Sequence, residues 1–338
     1  LEEASGEWVH FLDDDIVPSP NLLFAVSDVI SANPTAAGFV CNTQFPIADN
    51  VFTAAVHLSG VTYFWDIATK IDVDVPWGVT ANLVARRVLV PSDLTVKIDM
   101  PTQTEFSLIY PKTGGGEDID YCLTQRAAHL PIYRSDPNTN GQYPGFLAAP
   151  GAIVTHPWWN SGRRSWWRFH NWSLGDGHLI NAYPELSYLD YAPNSAESLL
   201  LCVLVLAVGV VFISLYLLIL SLECALGVVV ANLAHDVYRH TLLHPERHEE
   251  LNISSRVRRS KPFWSLVLLE SSMIRIFSEL GRLRGILERH EWKSVGRRFD
   301  WFVGRIPGGG PQEEERRNSL QRFGLALALV AIFRGLNN

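Results

Sequence analysis

The chain has 338 residues, room for one large domain or two smaller ones. Its net charge of −7 is unevenly spread: residues 1–197 carry 22 acidic and 10 basic side chains, residues 198–338 carry 13 and 18. An acidic front half suits cation binding and argues against nucleic acid as the partner, and the four cysteines show neither CxxC nor zinc spacing, so buried free thiols are expected.

In chain order, residues 2–30 read as a helix end, a strand, a loop and a helix. The apolar run Trp8-Val9-His10-Phe11-Leu12 predicts the buried strand, Pro18 and Pro20 close the loop, and Asn21 is placed to cap the helix over residues 22–30. Residues 37–41 predict a short strand, whereas residues 51–65 mix helical and strand signals. A strand ending at Arg86 and Arg87 is predicted within residues 75–90, with a helix-like stretch after it, then strand and loop over residues 97–111. Gly114-Gly115-Gly116 predicts a turn into a helix starting near Asp118. Residues 133–150, rich in Pro, Asn and Gly, predict a loop, and Ala152-Ile153-Val154-Thr155-His156 a last strand with a polar tip.

Residues 157–191 hold Trp158, Trp159, Trp166, Trp167, Phe169, Trp172, Tyr183, Tyr188 and Tyr191, interleaved with Arg163, Arg164 and Arg168. Sugars stack on aromatic faces, and Trp and Tyr favour the bilayer boundary, so the stretch reads equally as an acceptor platform or an interfacial collar. Residues 198–222 carry no charge and, at 25 residues, exceed the ~20 that a hydrocarbon core requires. With the apolar residues 224–234 they predict either one long tilted helix or a tight pair of short spans. Arg239, Arg247, Arg256, Arg258, Arg259 and Lys261 then favour a cytoplasmic flank. Residues 263–292 set Leu266, Leu269, Ile274, Ile276, Leu280, Leu283 and Leu287 among arginines, a basic amphipathic helix that lies on a membrane surface or on the protein itself. Residues 307–317 predict a linker, and the apolar residues 325–333 are short for a span.

The chemistry rests on two acidic motifs about a hundred residues apart, Asp13-Asp14-Asp15 and Glu117-Asp118. The first follows the strand, at the carboxyl end where open α/β sheets bind ligands. Adjacent carboxylates repel one another, and a divalent cation relieves that repulsion. Together the motifs suggest a cation-bound diphosphate on one side of a cleft and a general base on the other.

The segment Glu7-Trp8-Val9-His10-Phe11-Leu12-Asp13-Asp14-Asp15-Ile16-Val17-Pro18-Ser19-Pro20 resembles the DXD segment of family 2 glycosyltransferases. Trp77-Gly78-Val79-Thr80-Ala81-Asn82-Leu83-Val84-Ala85-Arg86-Arg87 resembles that family's sugar-pocket segment, and Gly116-Glu117-Asp118-Ile119-Asp120-Tyr121-Cys122-Leu123 its ED motif. The resemblance covers roughly residues 1–180, with all three motifs in the family's order. It implies an α/β fold of GT-A type, a mixed sheet flanked by helices, with the C-terminal half of the catalytic domain over residues 1–192. A transmembrane helical segment over 193–240 and a basic, membrane-associated tail over 241–338 complete the expected organisation. The family carries a nucleotide-binding βαβ region ahead of its DXD motif, so the chain is expected to be a fragment or a truncated product.

By this resemblance Asp13 and Asp15 hold Mn²⁺ or Mg²⁺, joined by His156, where some family members place a metal-binding histidine. Asp14 either shares the metal or faces the donor sugar. Asp118 is the general base, and Glu117 holds an acceptor hydroxyl or orients the site. Gly78, Asn82, Arg86 and Arg87 shape the sugar pocket, while Arg163 and Arg164 counter the diphosphate charge, with Trp166 and Trp167 beside them. In Arg163-Arg164-Ser165-Trp166-Trp167 a Trp stands where polymerising members carry a second Arg, which argues against processive synthesis. The implied reaction is inverting transfer from a nucleotide-diphosphate sugar, most often UDP-linked, to a glycan or lipid-linked acceptor at a membrane, with the catalytic part on the cytoplasmic side. A non-catalytic membrane scaffold and a metal-dependent phosphohydrolase are the rival readings.

Overall fold

The computed structural model of the protein describes residues 3–72, 74–87, 105–110, 115–135, 144–243, 251–305 and 310–337. The expectations for residues 88–104 and 136–143, and for Gly114, Arg247 and residues 307–309, lie outside the described residues.

The first half of the chain forms β1 (Trp8–Leu12), β2 (Val17–Pro18), α1 (Leu22–Ala32), β3 (Gly38–Gln44), α2 (Val51–Leu58), β4 (Asn82–Arg86), α3 (Glu117–Ser135) and β5 (Phe146–Thr155). The strands lie in the order β1-β4-β3-β5-β2, with β3 and β5 parallel and the other pairs antiparallel. This is the expected mixed α/β sheet. Alternation along the central strands feeds two cores: Val40, Leu83 and Ala85 face α3, while Phe39, Cys41 and Val84 face Leu22 and Val26 of α1.

Leu12 and Val17 belong to opposite edges of this sheet. Four inter-strand spacings of a flat sheet measure ~19 Å, yet five residue steps reach at most ~18 Å. The sheet therefore curls, and residues 13–16 cross the carboxyl ends of β1, β3 and β5. That crossing puts the aspartates over the mouth of the sheet.

Several local expectations change. No helix occupies residues 3–7, and Asn21 sits at the N-cap of α1 without a side-chain capping bond. The ambiguous residues 51–65 begin as α2, started by a capping box of Asn50 and Thr53. The loop expected over 133–150 is helical to Ser135 and a strand from Phe146. Pro150, at its end, marks a bulge. The β3–β5 register jumps from Cys41↔Ala149 to Asn42↔Ile153, leaving Pro150, which has no N–H to pair, inside the irregularity.

The second half forms α4 (Trp166–Ala182), β6 (Ser187–Leu189), α5 (Ser195–Val211), α6 (Leu215–Tyr238), α7 (Ser255–Arg259), α8 (Lys261–Glu288), β7 (Arg297–Phe299) and α9 (Gly310–Asn337). The amphipathic stretch is α8, in which Val267, Leu268 and Ile274 join Phe169 of α4 and Val56 of α2 in one core, whereas Leu266 and Leu269 of the expected apolar set are exposed. The linker expected over 307–317 is helical from Gly310, where Pro311 in the first turn suits a helix start. The uncharged run 198–222 is not one helix, because Ser214 caps a new helix in its middle and Ile213 takes φ 51°. Among the described residues one helix, Leu215–Leu243, is long and apolar enough to cross a membrane by length and composition, an 18-residue window of it having a mean hydropathy of 2.2.

β6 pairs with β7, and a buried ion cluster locks that ribbon to the start of α5. Arg298, 4% exposed, reaches Asp190 at 3.0 Å and both oxygens of Glu197 at 2.9 and 2.8 Å. Glu197 also accepts from the N–H groups of Asn194 and Gly296. Removing one partner strands the other charges in a dry site. Arg298→Ala is expected to cost about 3–5 kcal/mol, read from chemical denaturation of the full chain.

Candidate active site

Three ligand atoms converge at the mouth of the sheet. One oxygen each from Asp13 and Asp15 and a nitrogen of His156 lie within 4.8 Å of one another. The aspartates are exposed on the crossing loop, whereas His156 is 3% exposed and continues the β3–β5 ladder through its N–H to the Gln44 carbonyl at 2.8 Å. The imidazole Nδ1 lies 2.6 Å from the Pro157 carbonyl, which assigns the proton to Nδ1 in the neutral ring. The Nε2 lone pair then faces Asp13 Oδ2 at 3.5 Å and Asp15 Oδ1 at 3.3 Å. Three electron-rich atoms in mutual view call for a cation or a proton between them. Burial alone lowers the His156 pKa, but the hydrogen bonds to Asp13 and Pro157 and the charges of Asp15 and Asp13 raise it overall. The donor set, two carboxylate oxygens and one imidazole, fits a divalent ion and leaves positions open for a ligand.

The amino end of α3 lies close by. Phe11 of β1 packs edge-on against Tyr121 at 5.5 Å, which brings Asp118 under the field of Asp13. Burial raises the Asp118 pKa, Glu117 and Asp13 raise it further, and the hydrogen bond from Thr80 Oγ1 at 3.0 Å opposes the shift. Burial also raises Glu117, whose Oε2 is buried with no hydrogen-bond partner among the described residues. An unpaired buried oxygen is costly unless a ligand hydroxyl satisfies it.

The loop before α3 is seated on α4 through two glycines. Gly115 has φ +103°, and a Cβ there would overlap the Trp172 carbonyl. A Cβ on Gly175 would in turn overlap the Gly115 carbonyl. Gly175→Ala is therefore expected to push the Glu117–Asp118 turn off its seat, costing about 1–3 kcal/mol of stability. Mn²⁺ affinity, set by Asp13, Asp15 and His156, should hold; chemical denaturation and calorimetric titration in parallel check this.

The other expected site residues separate. Asn82 is an internal brace, donating to Asn42 O at 3.1 Å and Ala152 O at 3.0 Å, with His10 Nε2 at 2.8 Å from its oxygen. Gly78 packs flush on Val40. Arg86 lies at the far end of β4, opposite Trp8, and pairs with Glu7 and the Pro34 carbonyl, while Arg87 bonds the Gly6 carbonyl. Both tie down the N-terminal segment, away from the aspartates. Arg164 and Trp166 both bind Glu270 of α8, Arg163 is exposed, and Trp167 is exposed beside Phe277. Asp14 is exposed on the loop between Asp13 and Asp15. Trp158, Trp159, Phe169 and Trp172 form a packed wall behind His156, in which Trp158 stacks on Phe45 at 4.9 Å and Trp159 meets Trp172 edge-on at 4.9 Å, while Tyr188 and Tyr191 bond Glu315 and Glu313.

Two residues stand at the site that the sequence reading passed over. Thr80, inside the pocket motif, holds Asp118. Arg168 lies 5.7 Å from both Trp159 and Trp172, with a buried, unpartnered Nε, and the charge of Asp15 partly offsets the lowering of its pKa by burial. Its signal was the helix start at Trp166, which puts Arg168 and Trp172 one turn apart on one face. No protein-family model matches the chain, and no curated protein or solved structure is significantly similar to it.

Proposed function

We propose that the chain is an inverting, metal-dependent glycosyltransferase of family 2 with a GT-A-type core, held at a membrane with its catalytic part on the cytoplasmic side. The donor is a nucleotide-diphosphate sugar, UDP-linked in the first instance, and the acceptor a glycan or lipid-linked glycan. One observation carries the reading: the His156 lone pair and two aspartates converge, and Asp118 stands close enough to feel the charge of Asp13, so a donor bound between them would have the metal on one wall and the base on the other. Mn²⁺ or Mg²⁺ held by Asp13, Asp15 and His156 would neutralise charge on the departing diphosphate. Asp118 takes the proton from the attacking acceptor hydroxyl, Thr80 aims its carboxylate, and Glu117 holds the acceptor through its free oxygen. Arg168 supplies a second positive charge on the donor side. A base facing the donor wall gives single displacement and inversion. The test is Mn²⁺-dependent release of UDP from UDP-sugars by the full chain in vesicles, stimulated by a glycan acceptor. Release that ignores acceptor favours a hydrolase, and no release from any nucleotide sugar leaves the scaffold reading.

A further inference from the structure

α5 and α6 form an antiparallel hairpin, along which α9 packs through Ala326 and Leu329. The hairpin leaves the rest of the protein at a polar layer. There Ser195 bonds Asn232 at 2.8 Å, Arg275 bonds Asn232 and Asp236 at 2.8 Å each, and Arg298 grips Glu197. Beyond this layer the surface of the hairpin is apolar apart from Glu223, which Arg334 of α9 pairs. From Ser195 to the turn at residue 213 the arm measures about 27 Å at 1.5 Å per residue.

The turn itself departs from every habit of a water-facing loop. Phe212 is 74% exposed and Ile213 90%, flanked by exposed Val211 and Leu215, with Ser214 as its one polar side chain. Ile213 holds φ 51°, a region costly for a β-branched residue and one that Gly or Asn adopts in water-facing turns. The N–H groups of Phe212, Ile213 and Ser214 all bond carbonyls of α5, at 3.0, 3.2 and 2.8 Å, and Ser214 Oγ accepts from Leu217. These are Schellman-like C-cap bonds, and with them the N–H groups of the turn are satisfied without water, as hydrocarbon requires.

We infer that this hairpin is a re-entrant membrane arm: it dips into the bilayer from the side of the catalytic site and ends there, its turn dissolved in hydrocarbon. An arm of about 27 Å fills most of a hydrocarbon core of ~30 Å but cannot clear the ~40–45 Å that includes both headgroup layers. The protein below the polar layer stops deeper insertion. Charges within the arm are paired, as lipid requires: Arg334 bonds Glu223 at 2.8 Å and the Tyr216 hydroxyl at 2.9 Å. Both ends of the hairpin thus stay on the catalytic side with no crossing. The inference rests on the membrane reading above and deepens it.

The experiment uses the full chain in phosphatidylcholine–phosphatidylglycerol vesicles, with Cys224→Ala and Ile213→Cys, the other cysteines being buried. The expected result is flotation with vesicles, and maleimide labelling at least ~10-fold slower than at an exposed Glu185→Cys control, whether the impermeant reagent is outside or trapped inside. A fluorophore at the same position should be quenched more by acyl-chain than by headgroup quenchers. Fast labelling from inside means a true crossing and overturns the inference. Fast labelling from outside on floating protein places the turn off the bilayer and also overturns it. Failure to float instead removes the membrane reading itself. Phe212→Cys repeats the measurement one residue away should Ile213→Cys not fold.

Discussion

Asp15→Asn is expected to lower Mn²⁺ affinity at least ~100-fold, about 2.7 kcal/mol, and to abolish metal-stimulated UDP release. Losing a partner that only orients a metal ligand typically costs a metal site ~10–100-fold, and Asp15 would touch the ion itself and bring one of the triad's two carboxylate charges. The variant should fold normally, because the side chain is exposed and its nearest structural neighbour, His156, keeps its bonds to Pro157 and Gln44. Asp14→Asn, on the same loop but outside the triad, should cost much less affinity. Calorimetric titration with Mn²⁺ checks both. Equal affinities for wild type and Asp15→Asn would show that the convergence at His156 is incidental.

The two acidic motifs could be read from the sequence because each combines a local backbone signal with a chemical one. An apolar pentapeptide ends in three carboxylates, and a glycine turn opens a helix on two more. What the sequence hid was their approach, which depends on Phe11 of β1 meeting Tyr121 of α3. No local pattern encodes that pairing. His156 was placed by its strand, but its tautomer depends on the Pro157 carbonyl, a contact only the fold supplies. Arginine misled for a physical reason. Arg86, Arg163 and Arg164 are indistinguishable by residue type from Arg168, yet a salt bridge to Glu7 or Glu270 spends two of them on structure. The hairpin was half visible. Hydropathy averages over the break at residues 212–214 because the turn is as apolar as the helices, and that same property makes it the tip of the arm.

Asp118→Asn should reduce turnover about 10²–10⁴-fold while leaving Mn²⁺ affinity near wild type, which separates it from every substitution on the opposite wall. An amide keeps the bond from Thr80 but cannot accept the acceptor's proton. The pH profile carries the sharper test. Burial is the largest cause of the raised Asp118 pKa, followed by Glu117, and both persist when a cation neutralises Asp13. A base must be ionised to work, so turnover should climb with pH along a limb lying above the ordinary carboxylate range of ~4. Asp118→Asn should flatten that limb. The same shift has a stability consequence of definite sign. A carboxyl whose pKa is higher in the folded state favours folding only while protonated, so its contribution is lost as pH rises through the folded value. At alkaline pH wild type therefore bears a cost that asparagine lacks, about 1.4 kcal/mol for each tenfold gain in proton affinity on folding. Asp118→Asn should be inactive yet more resistant to denaturant than wild type at pH 9, with the advantage gone in acid. A variant that is inactive and destabilised at all pH values would make Asp118 a structural residue and move the base elsewhere.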